Sequence, residues 1–525
     1  MTSMASPDRA WQSEFNDRLA NYRRTREQIE RAVLPLATSI DGTTFECQAS
    51  LHDLRLRRGG YVLLDVDGAP LLGQISDLRV DSVAAASEGL AGAGASVLVR
   101  LARGNGILLS GGTPFHDAPV RVARAAEVGG WLAGTRSTRA GLTIGELLLA
   151  PGVAATLDSG GLDRHTFLCG QSGSGKTYSL GVLLERILAG TRLRVVILDP
   201  NSDYVGLPEL RAGADPALAA GYTPVLGDIA VWSNRAGAQR PLRLRFADLE
   251  PSLQAAVLGL DPIRDREEYA ALVDLLRAQG RGQPVITGPD QLLTSDRPGA
   301  RALGLRALNL GVFDWPVWSP HPPSLVDDLV AASARCTVVD LGSLDSVAQQ
   351  RLVAAAVLST LWRTRLSREA CLIVVDEAHN VCPAEPPDEI SGLSTDRAVR
   401  IAAEGRKYGR YLLTSTQRPH KVHEHVVSQC DNLVLMRMNS QADLADLSRL
   451  FSFVPPGLMA GATSFRLGQA LIAGKILPQP AYVQMGQRVS QEGGADLPAT
   501  WADPNQANEA TTPTTRQPPG GQPAA

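Results

Sequence analysis

Lysine is nearly missing from this chain. Of 51 basic residues only Lys176, Lys407, Lys421 and Lys475 are lysine, and the rest are arginine. Where so lysine-averse a composition keeps one, chemistry can demand a compact ammonium that arginine's wide fork replaces poorly. Cysteine is scarce as well. Cys47, Cys169, Cys336, Cys371, Cys382 and Cys430 are scattered without any C-x-x-C spacing, which excludes a disulfide framework and a recognisable zinc site. Several stand in apolar strand-like runs, where a reduced Cys acts as a small hydrophobe. No run of 18 apolar residues exists and the segment MTSMASPDRAWQSEF lacks the apolar core of a signal peptide, so the chain has no membrane segment and reads as cytoplasmic. A large excess of charge of one sign is missing too. The formal net charge is -3 and 44% of residues are apolar, which excludes a globally basic nucleic-acid coat protein and a wholly disordered chain.

What is present falls into successive textures. Residues 1–34 carry Trp11, Phe15, Leu19, Tyr22, Ile29 and Val33 at helical spacing, an amphipathic helix expected to dock on its own domain. Residues 35–130 hold short alternating runs such as TTFECQA and YVLLDVDG between Gly, Asp and Pro turns, which predicts a small antiparallel β-barrel. The Ala- and Gly-rich piece from Ala84 to Gly94 reads as a loose loop. Residues 143–488 alternate strands with long helical stretches, the pattern of an α/β domain with a mainly parallel sheet. Inside it, about 207–333 is irregular and reads as a helical insertion. Residues 489–525 are Gly, Pro, Thr, Gln and Ala with almost no large apolar side chain, a disordered tail by composition.

Gly170, Gln171, Ser172, Gly173, Ser174, Gly175, Lys176 and Thr177 read GQSGSGKT, the phosphate-binding G-x-x-x-x-G-K-[ST] loop. An apolar strand (HTFLC) precedes it and a helix beginning at Tyr178 follows. Its glycines let backbone N–H groups cradle the phosphates of ATP. Lys176 supplies charge to the β and γ phosphates, and the Thr177 hydroxyl ligates Mg²⁺. The run CLIVVDEAHN ends in Asp376 and Glu377 at the C-terminal end of a strand, where α/β sheets bind ligands. Asp376 would hold Mg²⁺ through water, and Glu377 would orient and deprotonate the attacking water. In AEGRKYGRYLLTSTQRPHK, Gln417 ends a strand where it can sense the γ-phosphate. Arg406, and less readily Arg400, can reach the nucleotide of a neighbouring subunit. Two decoys are set aside. The 200-residue gap between Lys176 and Asp376 and the missing downstream arginine motif argue against a DEAH helicase. LSGG at Leu109–Gly112 lies before the P-loop, whereas the ABC transporter signature follows it. The histidines of PHKVHEH fit no closed metal site with these cysteines.

In that order, RHTFLCGQSGSGKT, VVILDPNSDY, IVVDEAHN, EGRKYG and STQRP resemble the HerA-like branch of the HerA/FtsK motor ATPases. FRLGQALIAGKILPQPAYVQM is similar to the family's C-terminal β segment. The resemblance covers most of residues 35–488 and implies a RecA-like P-loop core behind a HerA-type barrel. It implies a homohexamer with ATP sites between subunits, double-stranded DNA moved through the pore or unwound, and service in DNA repair with a NurA-like nuclease or other effector. It also implies Asp199 as an acid near the water and Arg164, Arg406 or Arg400 as nucleotide-contacting arginines. The family's I-A-R-E-G-R-K departs here, with Ala403 in the arginine position. The competing readings are an ATP-gated ring scaffold that regulates an effector in anti-phage defence, and an FtsK- or conjugation-like DNA pump.

Overall fold

The computed structural model describes residues 7–86, 96–279, 289–296, 299–319 and 321–493. Its first helix, Pro7–Ala32, leans on a closed barrel of β1 (Leu36–Ser39), β2 (Thr44–Ser50), β3 (Tyr61–Val66), β4 (Ala69–Ala86), β5 (Ser96–Leu108) and β6 (Phe115–Val122). The strands are antiparallel neighbours in the order β1-β2-β5-β4-β3-β6. Burial alternates along β2, where Phe45, Cys47 and Ala49 face the barrel core and the residues between face out, as a one-sided strand demands.

The larger sheet contains β7 (Gly141–Leu147), β8 (Ala154–Asp158), β9 (His165–Cys169), β10 (Arg194–Asp199), β11 (Ile229–Trp232) and β12 (Cys336–Asp340). It continues through β13 (Cys371–Val375), β14 (Arg410–Thr416), β15 (Cys430–Met436), β16 (Gln469–Gly474) and β17 (Ala481–Met485). Their order is β11-β12-β10-β13-β14-β9-β15-β16-β17-β7-β8. The seven strands from β11 to β15 run parallel and the rest pair antiparallel. Helices cover both faces of the parallel part, so β13 is five buried residues in a row, CLIVV, with no alternation. Each such side chain contributes about 2 kcal/mol by leaving water. The six cysteines are all buried and free; burial pushes the Cys336 and Cys382 thiols up to about 12.

Four expectations are corrected. The stretch 207–333 is not a separate insertion. It supplies β11, the edge strand of the sheet, and Leu242, Leu244, Leu253 and Leu303 join the same core as Phe167, Val196 and Ile373. The expected loop at Ala84–Gly94 is partly strand, since β4 stays paired with β5 to Ala86↔Ser96; the rest of it lies outside the described residues. The tail does not begin at Val489. Arg488, Val489 and Ser490 are buried, because Glu185 on the helix Lys176–Gly190 accepts the backbone N–H groups of Val489 (2.9 Å) and Ser490 (2.6 Å). Residues 494–525 lie outside the described residues. The stripe of the first helix docks only in part. Tyr22, Ile29 and Val33 pack on Val99 and Leu101, and Glu30 accepts the Arg100 N–H at 2.7 Å. Trp11, Phe15 and Leu19 are exposed.

Candidate nucleotide site and the opposite edge of the sheet

The site is assembled at the C-terminal ends of β9, β13 and β14. β14 stands between the other two, so the loop after β9, the acids after β13 and the polar end of β14 converge. Gly173 (φ +71°) and Gly175 (φ +88°) hold the left-handed conformation that turns successive amides towards one point. Gly170 must be glycine for another reason: a Cβ there would lie 2.7 Å from Met436 Cβ and 2.8 Å from Ser174 Oγ. The loop is clasped from behind. Gln171 N donates to the Arg437 carbonyl (2.9 Å), Arg437 Nη2 to the Gly173 carbonyl (3.0 Å), and Gly468 N to the Ser174 carbonyl (3.1 Å). Ser172 is exposed at the loop's tip, while Thr177 and Tyr178 are half-buried at the helix start. The Tyr178 hydroxyl accepts the Arg488 N–H at 2.8 Å.

Lys176 is 4% exposed and held by acids. Its Nζ donates to Asp376 Oδ1 (2.7 Å) and Ser415 Oγ (3.1 Å) and lies 3.1 Å from Glu377 Oε1. Burial opposes its charge, but the Asp376 and Glu377 carboxylates outweigh burial and hold its pKa above the usual lysine value. Asp376 also accepts its neighbour Glu377's N–H (2.9 Å) and the Tyr204 hydroxyl (3.3 Å). Glu377 sits at φ +43°, a left-handed conformation that a non-glycine residue holds at a cost of about 1–3 kcal/mol. Its Oε1 accepts Gln417 Nε2 at 2.9 Å, and its Oε2 is buried without a hydrogen bond, 3.3 Å from His379 Nδ1. A buried carboxylate oxygen without a hydrogen bond, on the residue that contacts Lys176, fits a site built to take a water.

Asp199 ends β10, beside the end of β13 that carries Asp376. Its two oxygens accept the N–H groups of Asp203 (2.9 Å) and Tyr204 (2.8 Å), so it caps the turn after β10. Burial raises its pKa to about 7 despite those bonds. The half-buried acid in this loop is Asp203, raised to about 6 by burial and then by Asp376, with Lys176 and Arg488 pulling it back.

The arginines lie elsewhere. Arg164 precedes β9, Arg406 precedes β14 and Arg400 is exposed on the helix Glu389–Glu404 that leads there. These are the N-terminal ends of strands whose C-terminal ends carry the phosphate loop and Gln417. Seven residues of β14 separate the two edges by about 20 Å. Arg164 and Arg406 meet there on Asp431, at 3.6 and 2.9 Å. Ala403 is exposed at the same edge.

Residues 142–283 match the family model described as Helicase HerA, central domain. The DNA double-strand break repair helicase HerA of Pyrococcus furiosus is 25% identical over 396 residues, 66% of this chain and 69% of that protein. The protein of the same name from Sulfolobus acidocaldarius is 23% identical over 402 residues, 73% of this chain and 76% of that one. These matches support a HerA-like ATPase. A solved structure of VirB4 of Thermoanaerobacter pseudethanolicus is similar at a TM-score of 0.44, with 15% identity over 67% of this chain and 97% of that one. No helix among the described residues is long and apolar enough to cross a membrane.

Sequence reasoning had not named Ser415, Tyr204, Asp203, His379 or Arg437 as site residues. Ser415 and His379 stand inside the motifs STQRP and DEAHN, and Asp203 with Tyr204 closes LDPNSDY; adjacency to the named residues was their signal. Nothing local flags Arg437.

The same edge holds His165, fully buried. Its Nδ1 accepts the Leu412 N–H (2.8 Å) and its Nε2 faces the Ala402 carbonyl at 3.0 Å, a tautomer that must stay neutral. Burial, and then Arg406, lowers its pKa to about 4. A depressed histidine contributes stability that is complete above about 6.5 and is lost as pH falls towards 4. Asp199 and Asp203, raised in the fold, act with the opposite sign, so only a comparison isolates His165. Between pH 7.5 and 5, denaturant unfolding should show wild type losing about 2 kcal/mol more than His165→Gln. Equal losses would mean that His165 is not held neutral.

Proposed function

We propose that this protein is an ATP-hydrolysing motor that works as a ring of six identical subunits and moves along, or unwinds, double-stranded DNA in break repair, with a nuclease or other effector as partner. The observation carrying this reading is the separation of catalytic groups between opposite edges of one sheet. A head-to-tail contact between copies brings the phosphate edge of one subunit to the arginine edge of the next, and repetition of that contact closes a ring.

ATP binds with its phosphates on the amides of Gly170–Thr177. Lys176 then exchanges its carboxylate partners for the β and γ phosphates, which frees Glu377 to accept a proton from the attacking water. Gln417 and His379 orient the Glu377 carboxylate, and Gln417 reaches the γ-phosphate. Thr177 and Asp376 would hold Mg²⁺, which would neutralise charge on the phosphate oxygens. Arg406 or Arg164 of the adjacent copy offsets the charge that develops in the transition state. Transfer to water leaves ADP and phosphate.

The test is ATP turnover with and without duplex DNA at several salt concentrations. Stimulation by duplex that fades as salt rises supports a DNA motor, since phosphate contacts release counterions. Turnover indifferent to DNA at low salt, with rings intact, would favour the ATP-gated scaffold.

A further inference from the structure

The arginine edge contains a feature that the motor reading leaves unexplained. Asp431 carries both candidate fingers, and it is placed to do so by an irregularity in the sheet. Along β15 and β9 the pairing runs Cys430↔His165 and then Asn432↔Thr166, so Asp431 is an extra residue on β15. A bulge of this kind releases one side chain from the ladder and re-aims it. Three contacts fix the bulge. Buried Asn432 donates through Nδ2 to the Gly161 carbonyl (2.9 Å) and Thr166 Oγ1 (3.1 Å), and its Oδ1 accepts the Ile476 N–H (3.2 Å). Gly474, at φ +111°, leaves room for the Asp431 carbonyl, which a Cβ there would approach to 2.2 Å.

From this fixed position one oxygen, Asp431 Oδ2, meets Arg406 Nη1 at 2.9 Å and Arg164 Nε at 3.6 Å. Asp163 Oδ1 lies 3.7 Å from the same Arg164 Nε. Two guanidiniums from separate segments would repel each other without a shared anion. The arginines remain more than a third exposed, so the carboxylate holds them while leaving donors free to face outward. His165, between the two segments, ties the start of β9 to β14 and to the helix ending at Glu404.

We infer that Asp431 is a positioning residue that pre-orients Arg164 and Arg406 as one two-pronged unit for the nucleotide of the neighbouring subunit. The inference rests on the trans-arginine reading above. Holding both guanidiniums before the phosphate arrives removes reorganisation from the chemical step, where a misplacement of about 1 Å costs roughly 100-fold.

The test measures ATP turnover and nucleotide affinity in the full-length, assembled protein for Asp431→Asn, Asp431→Glu, Arg406→Ala, Arg164→Ala and the double variant Asp431→Asn/Arg406→Ala. Asp431→Asn should lower kcat by about 10- to 100-fold with little change in KM or affinity, Asp431→Glu should recover part of that loss, and Asp431→Asn should cost less than its full loss once Arg406 is gone, since only Arg164 is then left to hold. Unchanged or faster turnover in Asp431→Asn, beside a crippled Arg406→Ala, would overturn the inference and leave the trans reading standing. So would a loss fully additive with Arg406→Ala, which marks a role confined to the fold of the bulge. Normal turnover in both Arg406→Ala and Arg164→Ala would remove the trans reading, and the inference with it.

Discussion

Glu377→Gln should bind ATP normally and hydrolyse it about 10²–10⁴-fold more slowly, the range that a positioned general base contributes. The substitution keeps the shape of the side chain and its contact with Gln417 but removes the charge that receives the water's proton. It also removes one of the two acids on Lys176, so phosphate meets less competition for the ammonium and ATP affinity should hold or rise. Lys176→Ala should behave differently. It deletes the phosphate contact and strands Asp376 and Glu377 in a buried site, so affinity falls together with turnover. Lys176→Arg should fail as well, since a forked guanidinium does not fit between Asp376 Oδ1 and Ser415 Oγ at 2.7 and 3.1 Å. Stopped-flow binding of a fluorescent nucleotide beside steady-state phosphate release separates the two patterns. Glu377→Gln turnover within a few-fold of wild type would remove Glu377 from the role of base.

Arg406→Ala should cut turnover by about 10³-fold or more, the effect of losing an arginine that acts on a transferring phosphoryl group. The cut should appear with the variant's own phosphate loop intact. Arg406 sits about 20 Å from that loop, across the length of β14, so no rotamer brings it to its own nucleotide. Arg400→Ala, on the exposed flank of the preceding helix, should cost far less if Arg406 and Arg164 are the contacting pair. Equal losses for all three would place the phosphate of the neighbour over the helix instead.

Much of the core was legible because its signals are local. The phosphate loop is eight consecutive residues whose backbone conformation the glycines dictate. Asp376 and Glu377 follow a strand whose unbroken apolar run declares burial on both faces. What was not legible depends on distant chain. The four residues IAVW of β11 lie in irregular sequence, and their place at the sheet edge comes from pairing with β12, more than a hundred residues on. Val489 and Ser490 look like the start of a tail, and only Glu185, about 300 residues earlier, makes them a buried strap. The resemblance implies Asp199 as an acid near the attacking water; the turn it caps belongs to LDPNSDY itself, and only the folded turn engages both its oxygens with that turn's amides. The bulge at Asp431 has no sequence signature, since it is a mismatch between two strands.

The scarcity of lysine finds an explanation at Lys176 alone, where a single ammonium fits among Asp376, Glu377 and Ser415. Lys407, Lys421 and Lys475 are exposed, and nothing in the structure explains why they are not arginine.

The most direct test of a site shared between copies is ATP turnover by mixed subunits. Lys176→Ala protein, with its arginines intact, is mixed in increasing proportion with Arg406→Ala protein, whose phosphate loop is intact. Each variant alone is inactive, and the account predicts that mixtures regain activity, highest near equal proportions, from interfaces that pair a sound loop with a sound arginine. Mixed rings that form but stay inactive at every ratio would contradict it.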